Sequence, residues 1–476
     1  MDATQHVLTI FERLSAIPRG SGNEAQVSLW LQDLARQRGF PCQSDEAGNL
    51  VIRVPATPGR EAAPVIVLQG HMDMVCEKTP DSTHNFLTDP IRCIADGDWL
   101  HADRTTLGAD NGIAIALSLA LVADETVAHP PLELLFTTRE EVGLSGVNQL
   151  KPGFVTGKIL VNLDSEEEGT FIIGCAGGQT SRIHLPLRFE RPTQAAAFQL
   201  KISGLRGGHS GVDIDKHYAS ANKLLARVLD RLQRVTPLAL MDLHGGTAHN
   251  AISREAGAAF TCADGQADSL RQVVQEFETI LKDEFAPIET GLTLSLVPVD
   301  PGPVISEEVS ARIIRLLMAI PHGVAEMSAS VQGFVETSNN LARISIGESA
   351  LEVVTSQRST VMSRMEELTA RITAMALLAG AEIHSEPAYP GWRPDTKSPL
   401  LQRSIATYQA LYGSRPEVRM IHAGLECGTI GSIYPGMDMI SLGATIENPH
   451  SPNERMYIPS IERVWKYLVA FLDLYK

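Results

Sequence analysis

The sequence predicts an α/β protein in two parts: a mostly parallel sheet flanked by helices, interrupted by an inserted α+β domain. Three observations predict it. Short continuous apolar runs, VIVLQG at 65–70, LELLFTT at 132–138 and KILVNL at 158–163, recur with helical segments between them, as in sheets covered on both faces. The pattern breaks near 185–196, at LPLRFERPTQ, and resumes after YPGWRPD at 389–395. The expected boundaries are 1–185 and 391–476 for the α/β domain and 186–390 for the insertion.

Each element has its own warrant. The N-terminal MDATQHVLTIFERLSAIPRGSGNE has the spacing of an amphipathic helix followed by a loop. It lacks the basic start and unbroken apolar stretch of a signal peptide. IAIALSLALVAD at 113–124 is apolar nearly all round, so it is expected to be a buried helix. In the insertion, AFQLKISGL precedes the helix-like HYASANKLLARVLDRL at 217–232, then the runs LALMDL, AAFTCA and TLSLVP, with helix-like SLRQVVQEFETILKDEF between the last two. A second set follows: EEVSARIIRLLMAI, SASVQGFVE, LARISIGES, LEVVTSQ, VMSRMEELTARITAMALLAG and AEIHSE. Two successive α+β units fit this stretch. MDMISLGAT at 437–445 is a further core strand, and VWKYLVAFLDLY at 464–475 a closing helix.

A chain of 476 residues exceeds one simple core. Apolar residues at 44% and charged residues at 20% describe an ordinary soluble globular protein. No apolar run reaches the roughly 18 residues of a membrane span. The net charge of −16 argues against nucleic-acid and anionic-membrane partners. Six scattered cysteines without CxxC spacing are no disulfide framework, and point to a reducing cytoplasm.

The chemistry sits where the apolar runs end. In open α/β sheets functional groups cluster at the carboxyl edge of the strands. His71 and Asp73 follow the first run; at i and i+2 of an extended segment they point the same way. A metal-bound histidine commonly gives its other ring N–H to a carboxylate, and HxD supplies both groups. LGADNGIAIA places Asp110 beside Asn111 before the buried helix, where a helix cap is the plainer reading. TTREEVGLSG sets Glu140 next to Glu141; adjacent like charges there need solvent or cations, or begin a helix. Asp164 ends the third run, and His450 lies in the polar loop NPHSPNE. Five potential ligands, His71, Asp110, Glu141, Asp164 and His450, thus follow predicted strands of one domain. Two divalent cations against three carboxylates and two neutral imidazoles leave one positive charge, suited to a bound hydroxide. The mixed donors suit zinc, and also manganese or cobalt.

GHMDMV, GADNGI, TTREEVGLSG, NLDSE and NPHSPNE, taken in order, resemble the di-metal aminoacylase/carboxypeptidase superfamily of co-catalytic zinc peptidases. Within it they resemble most the bacterial cytosolic non-specific dipeptidases, and the likeness spans essentially the whole chain. The resemblance implies a di-metal peptidase domain with an inserted lid. It implies that Asp110 bridges both ions, that His71 and Asp164 complete one and Glu141 and His450 the other. By the same likeness Asp73 orients His71, and Glu140 is the general base that activates a metal-bridging water. The peptide between the residues matching Asp110 and Asn111 is often cis in this family. The histidine of GGHSG, His209, would donate to the tetrahedral oxyanion from the lid. A dipeptidase must also read a free carboxylate, which arginine does bidentately; Arg358 of SQRST is the candidate by family analogy. Asn250 and Asn339 are candidates for substrate backbone contacts. The implied substrates are unblocked dipeptides, Xaa-His among them, and a homodimer is compatible with the likeness.

Three other readings compete: an aminoacylase or other amidase of the same superfamily, a metal-binding protein without catalysis, and a two-metal phosphoester hydrolase. Glu140 argues against the second. The want of a basic cluster near the motifs argues against the third.

Overall fold

The computed structural model describes residues 2–193 and 196–476. They divide into two compact units. The first comprises residues 1–175, 392–420 and 425–476, and the second residues 176–391 and 421–424.

In the first unit the expected apolar runs become the centre of an eight-stranded sheet. Its order is Cys42–Ser44, Leu50–Val54, Leu132–Thr137, Ile66–His71, Ile159–Asn162, Asp438–Ser441, Thr170–Cys175 and Glu417–Ile421. The four central strands, Leu132–Thr137 to Asp438–Ser441, run parallel. On one side Leu50–Val54 joins antiparallel to Leu132–Thr137; on the other Thr170–Cys175 joins antiparallel to Asp438–Ser441. Ile66–His71 and Leu132–Thr137 are buried at every position, which is why they read as unbroken apolar runs rather than alternating ones.

The helix Ala109–Ala123 buries most of its circumference, as its all-round apolarity requires. It packs against Ala3–Ser15 and Ile458–Asp473 in one continuous apolar core with the sheet. A four-stranded sheet of the order Ile446–Glu447, Arg455–Tyr457, Trp99–Ala102 and Cys93–Asp96 braces the loop that carries His450. The sequence reading had no expectation for this sheet, because its strands are too short for a pattern to show.

The second unit is built on one nine-stranded sheet whose paired strands are antiparallel. Its helices are Ala221–Gln233, Ala267–Phe285, Glu307–Ala319 and Met362–Leu378. The two α+β sets are halves of this sheet. They join where Ala239–Gly245 pairs with Val335–Ile346 over only His244–Ser345 and Gly245–Ile344. One apolar core runs beneath both halves. The ten-residue strand Gly177–Pro186 belongs to this unit, so the change of unit falls at 175/176, ahead of the composition shift.

Candidate metal centre

The carboxyl ends of the parallel strands bring His71, Glu140, Glu141 and Asp164 together, with Asp110 from the first turn of helix Ala109–Ala123 and His450 from the braced loop. Each group below offers ligand atoms within 4.8 Å of one another: His71 with Asp110 and Asp164, His71 with Glu140 and Glu141, and Asp110 with Glu141 and His450. Asp110 is shared by the first and third. Its Oδ1 lies 3.1 Å from His71 Nε2 and its Oδ2 lies 3.0 Å from His450 Nε2. Asp164 Oδ1 is 3.5 Å from His71 Nε2, and Glu141 Oε2 is 3.1 Å from His450 Nε2. One carboxylate thus faces two histidines through its two oxygens. The peptide bond between Asp110 and Asn111 is cis.

The electrostatics fit a cation site. Burial disfavours charge on His71, yet Asp164, Asp110 and Asp73 together hold its proton well above the usual imidazole range. Hydrogen bonds to Asp110 and Glu141 push His450 up to about 11. Burial, with Asp110 and Glu141 nearby, pushes Asp164 up to about 6 despite His71. Burial, with Asp164, Glu141 and Glu426 nearby, holds Glu140 well above the carboxylate range. Protons stand where cations would relieve the same crowding. Glu141 Oε1 is buried without a hydrogen-bond partner among the described residues, an acceptor free for a metal.

The surroundings hold these groups in place. His71 Nδ1 lies 3.1 Å from the carbonyl of Asp73 and 3.5 Å from its Oδ1. The Asp73 carboxylate therefore does more than face the imidazole. It accepts the backbone N–H of Glu140 at 3.0 Å and of Glu141 at 3.2 Å, and the Ser21 hydroxyl at 2.7 Å. Burial opposes its charge, but the bond from His71 and these donors hold it down at about 2. Asp110 is not the helix cap that the sequence allowed. Glu454 takes that place, accepting the N–H groups of Leu107, Gly108, Ala109 and Asp110 at 2.8, 3.0, 2.8 and 3.3 Å.

Several supporting residues escaped sequence reasoning. Arg19, 1% exposed, donates to the carbonyls of Met72 and Asp73 at 3.0 and 3.1 Å and to that of Gly108. Glu24 accepts Arg139 N–H at 3.0 Å. Arg19, Ser21 and Glu24 all lie in the loop IPRGSGNE, and Glu454 closes NPHSPNE; the second segment belongs to the quoted resemblance, so its polar residues were the available signal. Glu426, fully buried under the centre, accepts Gln69 Nε2 at 2.5 Å and Thr137 Oγ1 at 2.7 Å. No spacing announces it.

The remaining candidates lie in the second unit. His209 Nδ1 accepts the N–H groups of Gly211 and Val212, each at 3.2 Å, so Nε2 carries the ring proton and is a donor. Arg358 is 7% exposed. Asn250 is exposed, and its carbonyl accepts Ser210 N–H at 2.8 Å. Asn339 is a correction. Its side chain is fully buried, Nδ2 donates to the Pro321 carbonyl at 2.6 Å, and Oδ1 accepts Gln357 Nε2 at 2.8 Å. Its amide is consumed inside the sheet, which leaves no polar edge for a substrate.

Comparison with known proteins agrees with this architecture. Residues 200–289 match the peptidase dimerisation domain of the M20 family. With the near-full-length likeness reported next, this match places the chain in the M20 peptidase family, among metallopeptidases, which are hydrolases. Over 472 residues it is 42% identical to the cytosol non-specific dipeptidase of Escherichia coli K12, covering 98% of this chain and 97% of that one. It superposes on the crystal structure of aminoacylhistidine dipeptidase from Vibrio alginolyticus with a TM-score of 0.91 at 38% identity, covering 99% and 96% of the two chains. A tripeptidase from Staphylococcus aureus, 17% identical with a TM-score of 0.56 over 99% and 98% of the chains, shares the fold.

Proposed function

We propose that the protein is a metal-dependent dipeptidase that hydrolyses the peptide bond of unblocked dipeptides, Xaa-His among them. The observation that carries this reading is the shared carboxylate: Asp110 offers one oxygen to the His71 side and the other to the His450 side. That arrangement supports two divalent ions, one held by His71, Asp110 and Asp164 and the other by Asp110, Glu141 and His450. The nitrogen and oxygen donors suit zinc, with manganese and cobalt as alternatives.

Bound cations would polarise the scissile carbonyl and make water acidic at neutral pH. The chain's own residues do the rest. Glu140 takes a proton from the attacking water and returns it to the leaving amine. Burial beside Asp164 and Glu141 raises its proton affinity, which favours that transfer. Asp73 sets its position by holding its backbone N–H. His209, with its proton on Nε2, donates to the oxygen that becomes negative. Arg358 reads the terminal carboxylate, and Asn250 contacts the substrate backbone. The matched dimerisation domain supports a homodimer. Six free cysteines and the cytosolic relative support a cytoplasmic location.

The test is hydrolysis of a dipeptide panel that includes β-alanyl-histidine, beside N-acetylated amino acids, with zinc, manganese or cobalt added. Dipeptides should be cleaved, and Glu140→Ala should retain metal and lose several orders of magnitude in kcat. Cleavage of acylated amino acids alone would replace the dipeptidase reading with the aminoacylase one.

A further inference from the structure

Arg358 stands in a row of positions that crosses three strands of the second unit. The antiparallel registers set Gly178 opposite Arg358, and Arg358 opposite Ser338. Directly opposed residues share a face of the sheet. Although nearly buried, the guanidinium enters no ion pair among the described residues, and its Nε has no hydrogen-bond partner there. The residues opposite it in the row, Gly178 and Ser338, are uncharged. The Ser338 hydroxyl lies 2.7 Å from His422 Nε2. Burial, and then the charge of Arg358, hold His422 down at about 3, so its ring is neutral at pH 7. A buried cation without a counter-charge is unfavourable until an anion arrives.

Among the described residues one side-chain hydrogen bond orients it: Nη1 donates to the Tyr389 hydroxyl at 2.9 Å. Tyr389 is itself fixed to the same row. Gly178 N–H donates to its carbonyl at 3.1 Å, and its N–H donates to the Gly178 carbonyl at 3.0 Å. A Cβ on Gly178 would lie 2.4 Å from the phenol oxygen and 2.5 Å from Cζ. The ring therefore rests on the bare glycine, and a strand glycine permits that approach.

We infer that Tyr389, seated on Gly178, is a positioning residue that anchors Arg358 through Nη1 and so leaves Nη2 to meet the substrate's terminal carboxylate. A guanidinium held in one plane presents its remaining donors to a carboxylate in a fixed direction. The inference rests on the reading of Arg358 given above. It adds the reason the guanidinium faces one way, and it assigns a role to the YPGW segment.

The experiment compares wild type, Tyr389→Phe, Arg358→Ala and the double variant on one free dipeptide and on its C-terminal amide. Removing one hydrogen bond to a charged group should raise KM for the free dipeptide about ten-fold with kcat within about two-fold. The same variant should leave kinetics on the amide unchanged. Adding Tyr389→Phe to Arg358→Ala should change nothing further. An unchanged KM, an equal loss on the amide, or an additive double variant overturns the role of Tyr389. If Arg358→Ala leaves KM for the free dipeptide unchanged, the reading of Arg358 fails, and this inference with it.

Discussion

Replacing Glu454 by glutamine converts one of the two oxygens that gather the backbone of 107–110 into an amide N–H₂. The consequence can be worked from the geometry. Each oxygen accepts two N–H groups: Oε2 those of Leu107 and Gly108, Oε1 those of Ala109 and Asp110. Glutamine loses two bonds to a charged acceptor and turns a donor toward two buried donors. Bonds to a charged group contribute about 1.5–3 kcal/mol each, so roughly 3–6 kcal/mol is at stake before relaxation. The lost charge also stood at the N-terminus of helix Ala109–Ala123, where an anion is favoured. It is also among the acidic groups that offset the burial of Arg19. A net loss of about 3 kcal/mol is the expectation. In a domain of this size each kcal/mol moves the melting temperature by about 2–4 °C. Calorimetry on the metal-free protein should then show the first unit melting at least about 6 °C lower, with the second unit unmoved. A shift under about 2 °C would refute the view that Glu454 organises the turn bearing Asp110.

Three further outcomes are expected. Gly70→Ala puts a Cβ 2.3 Å from Asn111 Oδ1 and 2.6 Å from Ala114 Cβ; overpacking against a buried helix should destabilise by about 2–3 kcal/mol in urea unfolding, and a neutral result would show that the helix can shift. His322, half-buried and accepting Leu341 N–H at 3.2 Å, is held down at about 4 by desolvation and then by Lys223. The unfolded chain binds this proton first, near 6.5, so its contribution is complete above that pH and is lost as pH falls toward 4. Between pH 7.5 and 5 the loss is about 2 kcal/mol, and the acid slope of His322→Gln should be shallower by that amount. Chelation should abolish activity and lower the melting temperature of the first unit by several degrees, with recovery on adding zinc; an unchanged melting temperature would contradict ion binding between Asp110, Glu141 and Asp164.

What was legible in the sequence follows from what leaves a periodic or chemical trace. The central strands were visible because burial on both faces makes them continuous apolar runs. The cluster was visible because His71, Glu141 and Asp164 each follow such a run, and Asp110 precedes one, with a polar or charged side chain. The supports were not. Arg19 and Glu454 meet only through the fold, on either side of the turn at 107–110, and a buried arginine looks in sequence like any surface one. Glu426 likewise gives no sign that it lies under Gln69 and Thr137. Asn339 erred in the opposite direction: an asparagine in a polar motif resembles a ligand contact until the sheet is seen to use both ends of its amide. The hairpin of Cys93–Asp96 and Trp99–Ala102 was missed because strands of four residues carry too few alternations.

The narrow join in the nine-stranded sheet also bears on how the chain avoids unwanted assembly. Strand Ala239–Gly245 meets its neighbour Val335–Ile346 over two residue pairs, so only the His244–Gly245 end of its outer edge is paired, by a segment about ninety residues downstream. Residues 200–289 fall wholly within that first half. Were translation or proteolysis to stop short of Val335, the half-sheet would present a bare strand edge, the usual template for pairing between chains. Truncated products of this gene should therefore aggregate more readily than the finished protein, and the second half of the sheet closes one end of the edge of the first.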